Sequence, residues 1–154
     1  MSKVLVIDQE KCTNCHLCEL SCSMKKNAEF NPVKSLIRVN AFPRDAAYIP
    51  LMCFQCADAP CVDVCPTGSL SKEPELVNHD DDTCIGCRMC MLACPFGVIS
   101  YDASRGVITK CDTCDGNPEC VQFCPTGAIE FRESDFANVA KGKDFARKIA
   151  DAGR

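Results

Sequence analysis

Cys84-Ile85-Gly86-Cys87-Arg88-Met89-Cys90-Met91-Leu92-Ala93-Cys94-Pro95 is the stretch whose reading decides the fold. Three cysteines fall at intervals of three, a fourth follows four residues later, and a proline closes the run. Thiolates spaced this closely can wrap three corners of one iron–sulfur cube. The fourth lies one helical turn further on, so it points elsewhere and ligates a neighbouring cube. One such run therefore implies a second cluster close by.

Working outward, Cys12, Cys15, Cys18 and Cys22 repeat the same spacing. Cys53, Cys56, Cys61 and Cys65 follow C-x2-C-x4-C-x3-C, and Cys111, Cys114, Cys120 and Cys124 follow C-x2-C-x5-C-x3-C. The four quartets use all 16 cysteines. At four ligands per cube they make the ligand sets of four [4Fe–4S] clusters.

Composition bounds the alternatives. Cysteine at this density usually marks a secreted disulfide scaffold. Met1 to Glu10 argues against that, since its only apolar run is Val4 to Ile7, followed by Asp8 and Glu10. This predicts no signal peptide, and the chain carries neither a paired-arginine leader nor an apolar run of membrane-spanning length. The expected location is a reducing cytoplasm, which keeps thiols available to metal. Structural zinc sites more often pair two C-x2-C units across a long gap. Apolar residues make up 47 % of the 154-residue chain. Without cysteine the share falls to about 36 %, modest for a chain that must bury its own core. The clusters are expected to replace part of that core, leaving apo-protein poorly folded. The formal charge is −4. Each oxidised cluster with its thiolates adds roughly −2, so the loaded protein carries about −12. That balance disfavours nucleic acid and suits a basic docking surface on a partner protein.

Along the chain, Lys3 to Asp8 alternates as a short strand, and Cys18 to Lys26 reads as a helix. Cys22 is followed by Ser23 rather than proline, so that helix can run on until Asn31-Pro32 breaks it. Strands are expected over 35–42 and 47–52, an insert read as structural packing, and a short helix over 60–65. Cys65, Cys94 and Cys124 are followed by Pro-Thr-Gly-Ser-Leu, Pro-Phe-Gly-Val-Ile and Pro-Thr-Gly-Ala-Ile. In this internal repeat proline stops the helix, glycine permits a tight turn, and a strand begins. Further strands are expected over 69–71, 76–79, 99–101, 107–109 and 128–132. The acidic triplet Asp80-Asp81-Asp82 reads as a solvated turn. Ser134 can cap a helical tail. In that tail Phe136, Val139, Ala140 and Lys143 share one face, and Phe145, Ile149 and Ala152 follow another beyond Gly142. Phe145 and Ile149 are expected to contact another subunit or a second copy.

With the quartets read, the chain resembles bacterial-type ferredoxins. It is similar overall to the four-cluster ferredoxin-like electron-transfer subunits of molybdenum and tungsten oxidoreductases. Relatives in that family serve dimethyl sulfoxide reductases, formate dehydrogenases and hydrogenases. This chain looks most like the small iron–sulfur subunit of bacterial tungsten-containing aldehyde oxidoreductases. The resemblance implies an α+β fold of two bacterial-ferredoxin-like βαβ modules with inserted strands and a C-terminal helical tail. Residues 1–52 with 111–133 form the outer module, 53–110 the inner one, and 134–154 the tail. It also implies the sharing of ligands. Cys12, Cys15 and Cys18 take Cys124, and Cys111, Cys114 and Cys120 take Cys22. Cys53, Cys56 and Cys61 take Cys94, and Cys84, Cys87 and Cys90 take Cys65. Spacing alone leaves a tandem pairing of the first quartet with the second equally open.

A cube with four cysteine ligands has no open position for substrate, so the expected role is electron transfer without catalysis. Arg88 predicts a raised potential for its neighbouring cluster, and Asp115 and Glu119 a lowered one. His16 is expected to face solvent, and His79 carries no assigned role. No nucleophile–base constellation or nucleotide fingerprint is present. The resemblance implies a catalytic pterin-containing partner, with a flavin- or quinone-linked redox subunit and self-stacking as further candidates. A freestanding polyferredoxin is the alternative, and a zinc-bound interaction module is the third reading.

Overall fold

The computed structural model describes residues 3–74 and 76–134. The tail expected over 134–154, with Phe136, Phe145 and Ile149, lies outside the described residues beyond Ser134. In chain order the strands are β1 (Lys3–Ile7), β2 (Arg38–Phe42), β3 (Ala47–Leu51), β4 (Leu70–Lys72), β5 (Val77–His79), β6 (Ser100–Asp102), β7 (Val107–Thr109) and β8 (Ile129–Glu133). The α-helices are α1 (Leu17–Asn27), α2 (Pro60–Asp63), α3 (Met89–Ala93) and α4 (Glu119–Gln122). Mixed helix and small antiparallel sheets make this an α+β, ferredoxin-like architecture.

Each sheet among the described residues has two strands. β1 pairs with β8, setting Lys3 opposite Glu133 and Ile7 opposite Ile129, so the two ends of the described chain lie together. The other three sheets are local hairpins: β2–β3, β4–β5 and β6–β7. Two-stranded sheets are marginal by themselves and need packing or cross-links to persist.

Helix length follows the proline pattern. Pro66, Pro95 and Pro125 stand just after short helices that end at Asp63, Ala93 and Gln122. Ser23 stands in that place after Cys22, and α1 runs on to Asn27. Lys25 and Lys26 in its last turn complement the helix dipole. Several strands begin later than the sequence suggests because the preceding residues bond elsewhere. Ala128 donates its N–H to Cys124 Sγ at 3.2 Å, so β8 starts at Ile129. Ser35 closes on Ile37 in both directions, its Oγ donating to Ile37 O at 2.8 Å and accepting from Ile37 N at 3.2 Å. β2 accordingly starts at Arg38 rather than residue 35.

The apolar core falls into two clusters. Ile37, Met52 and Ile129 gather with Cys18, Cys22 and Cys120. Leu70, Val77, Ile99 and Ile108 gather with Ala59 and Cys90. Within the insert over 31–52, Ile37 and Met52 are fully buried in the first cluster, while most of β2 is exposed. Val39 N also donates to Glu19 Oε1 at 2.7 Å, fastening the insert to α1.

Candidate metal centre

All 16 cysteines are free of disulfides. In all four C-x2-C loops the residue before the second cysteine has positive φ: Asn14 58°, Gln55 50°, Gly86 65° and Thr113 59°. Only one of the four is glycine. A β-branched residue such as Thr113 is uncommon in this region, and such strain persists only where surrounding structure over-determines it. The left-handed turn folds the loop back on itself, and in the fourth loop the Thr113 N–H donates to Cys111 Sγ at 3.4 Å. His16 and Arg88 repeat the conformation at the helix starts, with φ 59° and 63°.

Three of the implied ligand sets ring small cavities. Cys12, Cys15, Cys18 and Cys124 line one. Cys65, Cys84, Cys87 and Cys90 line a second. Cys53, Cys56, Cys61 and Cys94 line a third. In the fourth set, Cys22, Cys111 and Cys114 are near enough for their charges to act on Cys120. Each fourth cysteine is thus brought to a loop distant in sequence. Among the described residues no three Cys, His, Asp or Glu side chains converge on a point to hold a single ion. Sulfurs that ring a space fit a polynuclear cluster, so the donor sets present suit [4Fe–4S] cubes.

Burial divides the thiols. Desolvation, reinforced by the Glu19 carboxylate, pushes Cys18 up to about 12. Burial likewise pushes Cys111 up to about 12 despite the Thr113 N–H, and raises Cys120 further still. Such thiols hold their protons until metal displaces them, so loading releases protons and acid opposes it. Cys65 goes the other way. Slight burial is overcome by hydrogen bonds from the Leu70 backbone and the Ser69 and Thr67 hydroxyls, which bring it to about 6. Cys124 is lowered similarly, burial being outweighed by the Ile129 and Ala128 backbone and the Thr126 hydroxyl. Both threonines belong to the Pro-Thr-Gly repeats; after Cys94 the repeat carries Phe96 instead.

The charged neighbours are more committed than the sequence suggests. Arg88 stacks on Tyr101 with its guanidinium 3.7 Å from the ring centroid, which fixes the cation beside the third quartet. Glu119 pairs with Lys25 at 3.4 Å, offsetting the acidity expected of the fourth quartet. His16 is part exposed, its Nδ1 2.9 Å from Glu19 Oε2. His79 ends β5, mostly buried, with Nδ1 3.1 Å from Asp81. Sequence reasoning passed over Gln55 and Lys110. Gln55 Nε2 donates to Cys111 O at 2.7 Å, and its Oε1 accepts from Val77 N at 2.9 Å. Lys110 is buried and donates to Val77 O and Cys111 O. The only signal for Lys110 was a lone lysine following the apolar strand Val107–Thr109.

Gly86 carries a testable constraint. A Cβ there would lie 2.3 Å from Gly106 O, a backbone atom with little room to yield. Gly97 has a similar φ of +63° but nothing within 4 Å of the same position. Gly86→Ala is expected to cost about 3 kcal/mol, combining left-handed strain with overpacking. Gly97→Ala should cost about 1 kcal/mol, the strain alone. Urea midpoints measured side by side check this, and equal shifts would disprove the close approach.

Comparison with known proteins gives two family matches. The 4Fe-4S dicluster domain matches residues 44–134, and a 4Fe-4S binding domain matches residues 9–25. The arsenate respiratory reductase iron-sulfur subunit ArrB of Shewanella sp. (strain ANA-3) is 43% identical over 105 residues, spanning 65% of this chain and 45% of that protein. YnfG of Escherichia coli (strain K12), described as a probable anaerobic dimethyl sulfoxide reductase component, is 38% identical over 121 residues, spanning 69% of this chain and 58% of that protein. The chain thus covers about half the length of these curated relatives. One polypeptide of the active site complex BamBC of benzoyl coenzyme A reductase, solved with benzoyl-CoA, superposes with TM-score 0.50 at 25% identity. That match covers 97% of this chain and 95% of the other.

Proposed function

Because the chain belongs to the 4Fe-4S dicluster domain family, we propose that it is a non-catalytic electron-transfer subunit carrying four [4Fe–4S] clusters for a larger oxidoreductase. The observation that carries this reading is the convergence of distant cysteines on shared cavities. When bound, such cubes accept and release single electrons. The chain's part is to hold them in a row. Cys18 lies close enough to act on Cys120, Cys53 on Cys111, and Cys61 on Cys90. These neighbours support a four-site order. It runs from the set of Cys12, Cys15, Cys18 and Cys124 to that of Cys22, Cys111, Cys114 and Cys120. It continues to Cys53, Cys56, Cys61 and Cys94, then to Cys65, Cys84, Cys87 and Cys90. Cys15 and Cys87, exposed to solvent, belong to the two terminal sets, where electrons would enter and leave. The two apolar clusters support a division into an outer module of 1–52 with 111–133 and an inner one of 53–110.

The partner is a catalytic subunit of the molybdenum or tungsten class, and tungsten-dependent aldehyde oxidation is the narrower assignment. The near full-length match to one polypeptide of a benzoyl coenzyme A reductase active site complex supports a subunit that works within an oxidoreductase complex. No helix among the described residues is long and apolar enough to cross a membrane. A reducing cytoplasm would keep the ligand thiols available. Native purification tests the whole assignment. The expected result is co-elution with a large subunit containing molybdenum or tungsten. A chain that elutes alone with its full iron complement would instead be a freestanding carrier.

A further inference from the structure

At the midpoint of the proposed order stands Lys110, 6 % exposed, between β7 and Cys111. Its Nζ donates to Val77 O and, at 2.9 Å, to Cys111 O. Gln55 grips the same two residues from the second quartet. Two side chains thus tie β5 and the second C-x2-C loop to the first cysteine of the fourth quartet. Among the described residues Lys110 makes no ion pair; its bonds go to neutral carbonyls. A buried cation satisfied only by carbonyls is costly unless negative charge lies near. Ligand cysteines Cys53 and Cys61 lie near enough for its charge to act on them, as does His79, and Asp112 lines the same cavity as Lys110.

Resting on the four-cluster reading, we propose that Lys110 is the built-in counter-charge of the two middle sites. These are the set of Cys53, Cys56, Cys61 and Cys94 and the set of Cys22, Cys111, Cys114 and Cys120. It is a positioning residue as well, since the carbonyls it binds hold the two sites against each other. A cation between two thiolate-ligated cubes compensates their negative charge and favours the reduced state of each, where another electron arrives. It therefore raises both middle potentials above what they would be without it. Lys110→Gln would keep a hydrogen-bond donor without the charge, which separates the two roles.

The test is a potentiometric titration followed by electron paramagnetic resonance, with iron counted in each sample. The samples are the intact protein, Lys110→Met, Lys110→Arg and Lys110→Gln. Lys110→Met should make reduction of two of the four sites at least tenfold less favourable, a shift of about 59 mV for one electron. Lys110→Arg should restore most of that shift, and Lys110→Gln should lose as much as Lys110→Met. If Lys110→Met fails to load iron at the middle sites while Lys110→Arg loads fully, the counter-charge role also stands. Full iron in Lys110→Met with unmoved potentials overturns the assignment while leaving four clusters intact. Native potentials in Lys110→Gln beside shifted ones in Lys110→Met overturn it in favour of a purely structural lysine. An intact protein holding only two clusters would remove the middle pair, and both readings with it.

Discussion

Stripping iron from the purified protein is expected to unfold it. Before treatment the anaerobically isolated chain should hold about 16 iron and 16 sulfide, four of each per cube. After chelation under reducing conditions, far-ultraviolet circular dichroism should lose its helix and strand signals together. The reason lies in what holds the chain. Among the described residues the sheets are two-stranded and three of the four α-helices span five residues or fewer, so local structure supplies little stability. Five of the 15 apolar residues buried among the described ones are cysteines, so the core is built around the ligand sets. Each proposed ligand set also joins a loop to a helix end remote in sequence, acting as a cross-link on a long loop. Free energies of structural metal binding, about 10–16 kcal/mol for zinc in small domains, exceed the stability of most folds this size. Acid should act in the same direction, because burial makes Cys18 and Cys111 hold protons tightly once metal leaves. A chelated protein that kept its dichroism and amide protection would show a self-sufficient core. An intact protein with zinc in place of iron, or about eight iron, would end the four-cluster reading.

The cysteine spacing made the site legible because ligation needs specific residue types at fixed intervals, and both survive in one dimension. The Pro-x-Gly repeats made the helix stops legible for a similar reason, since proline acts on its own backbone. Strand starts were less legible. Ile129 rather than Ala128 opens β8 because an amide is claimed by Cys124 Sγ, a demand set by tertiary structure. The left-handed residues Gln55 and Thr113 were invisible, as nothing in their side chains favours that conformation as glycine does, whereas Asn14 is of a type that tolerates it. Lys110 was hidden for a different reason. An isolated lysine reads as surface, and only the fold reveals that it points inward between two quartets. Glu119 was read as a bare acid because Lys25 lies far from it in sequence.

Cys124→Ala and Cys18→Ala should abolish the same cluster signal. The chain contains two ways to complete the first quartet, and spacing does not choose between them. In the fold, Cys124 lines the cavity of Cys12, Cys15 and Cys18, together with Thr126, Ala128 and Ile129. Its sulfur accepts the Ala128 N–H at 3.2 Å, and the β8 strand that follows is paired along its whole length with β1, which leads into Cys12. The sulfur is therefore anchored to the first quartet's side of the molecule by the sheet, not by its own loop. Cys22, by contrast, packs with Cys120 and takes the Leu36 N–H at 3.4 Å. Removing one of four thiolates from a cube leaves an iron with an incomplete ligand set, so the signal should fall away or convert to a three-iron form. In Cys124→Ala and Cys18→Ala the change should appear at the same potential, with the other three signals retained. Cys114→Ala and Cys22→Ala should share a second signal. Should Cys124→Ala match Cys114→Ala instead, while Cys18→Ala perturbs a different cluster, each quartet would hold its own cube and the crossed pairing would be wrong.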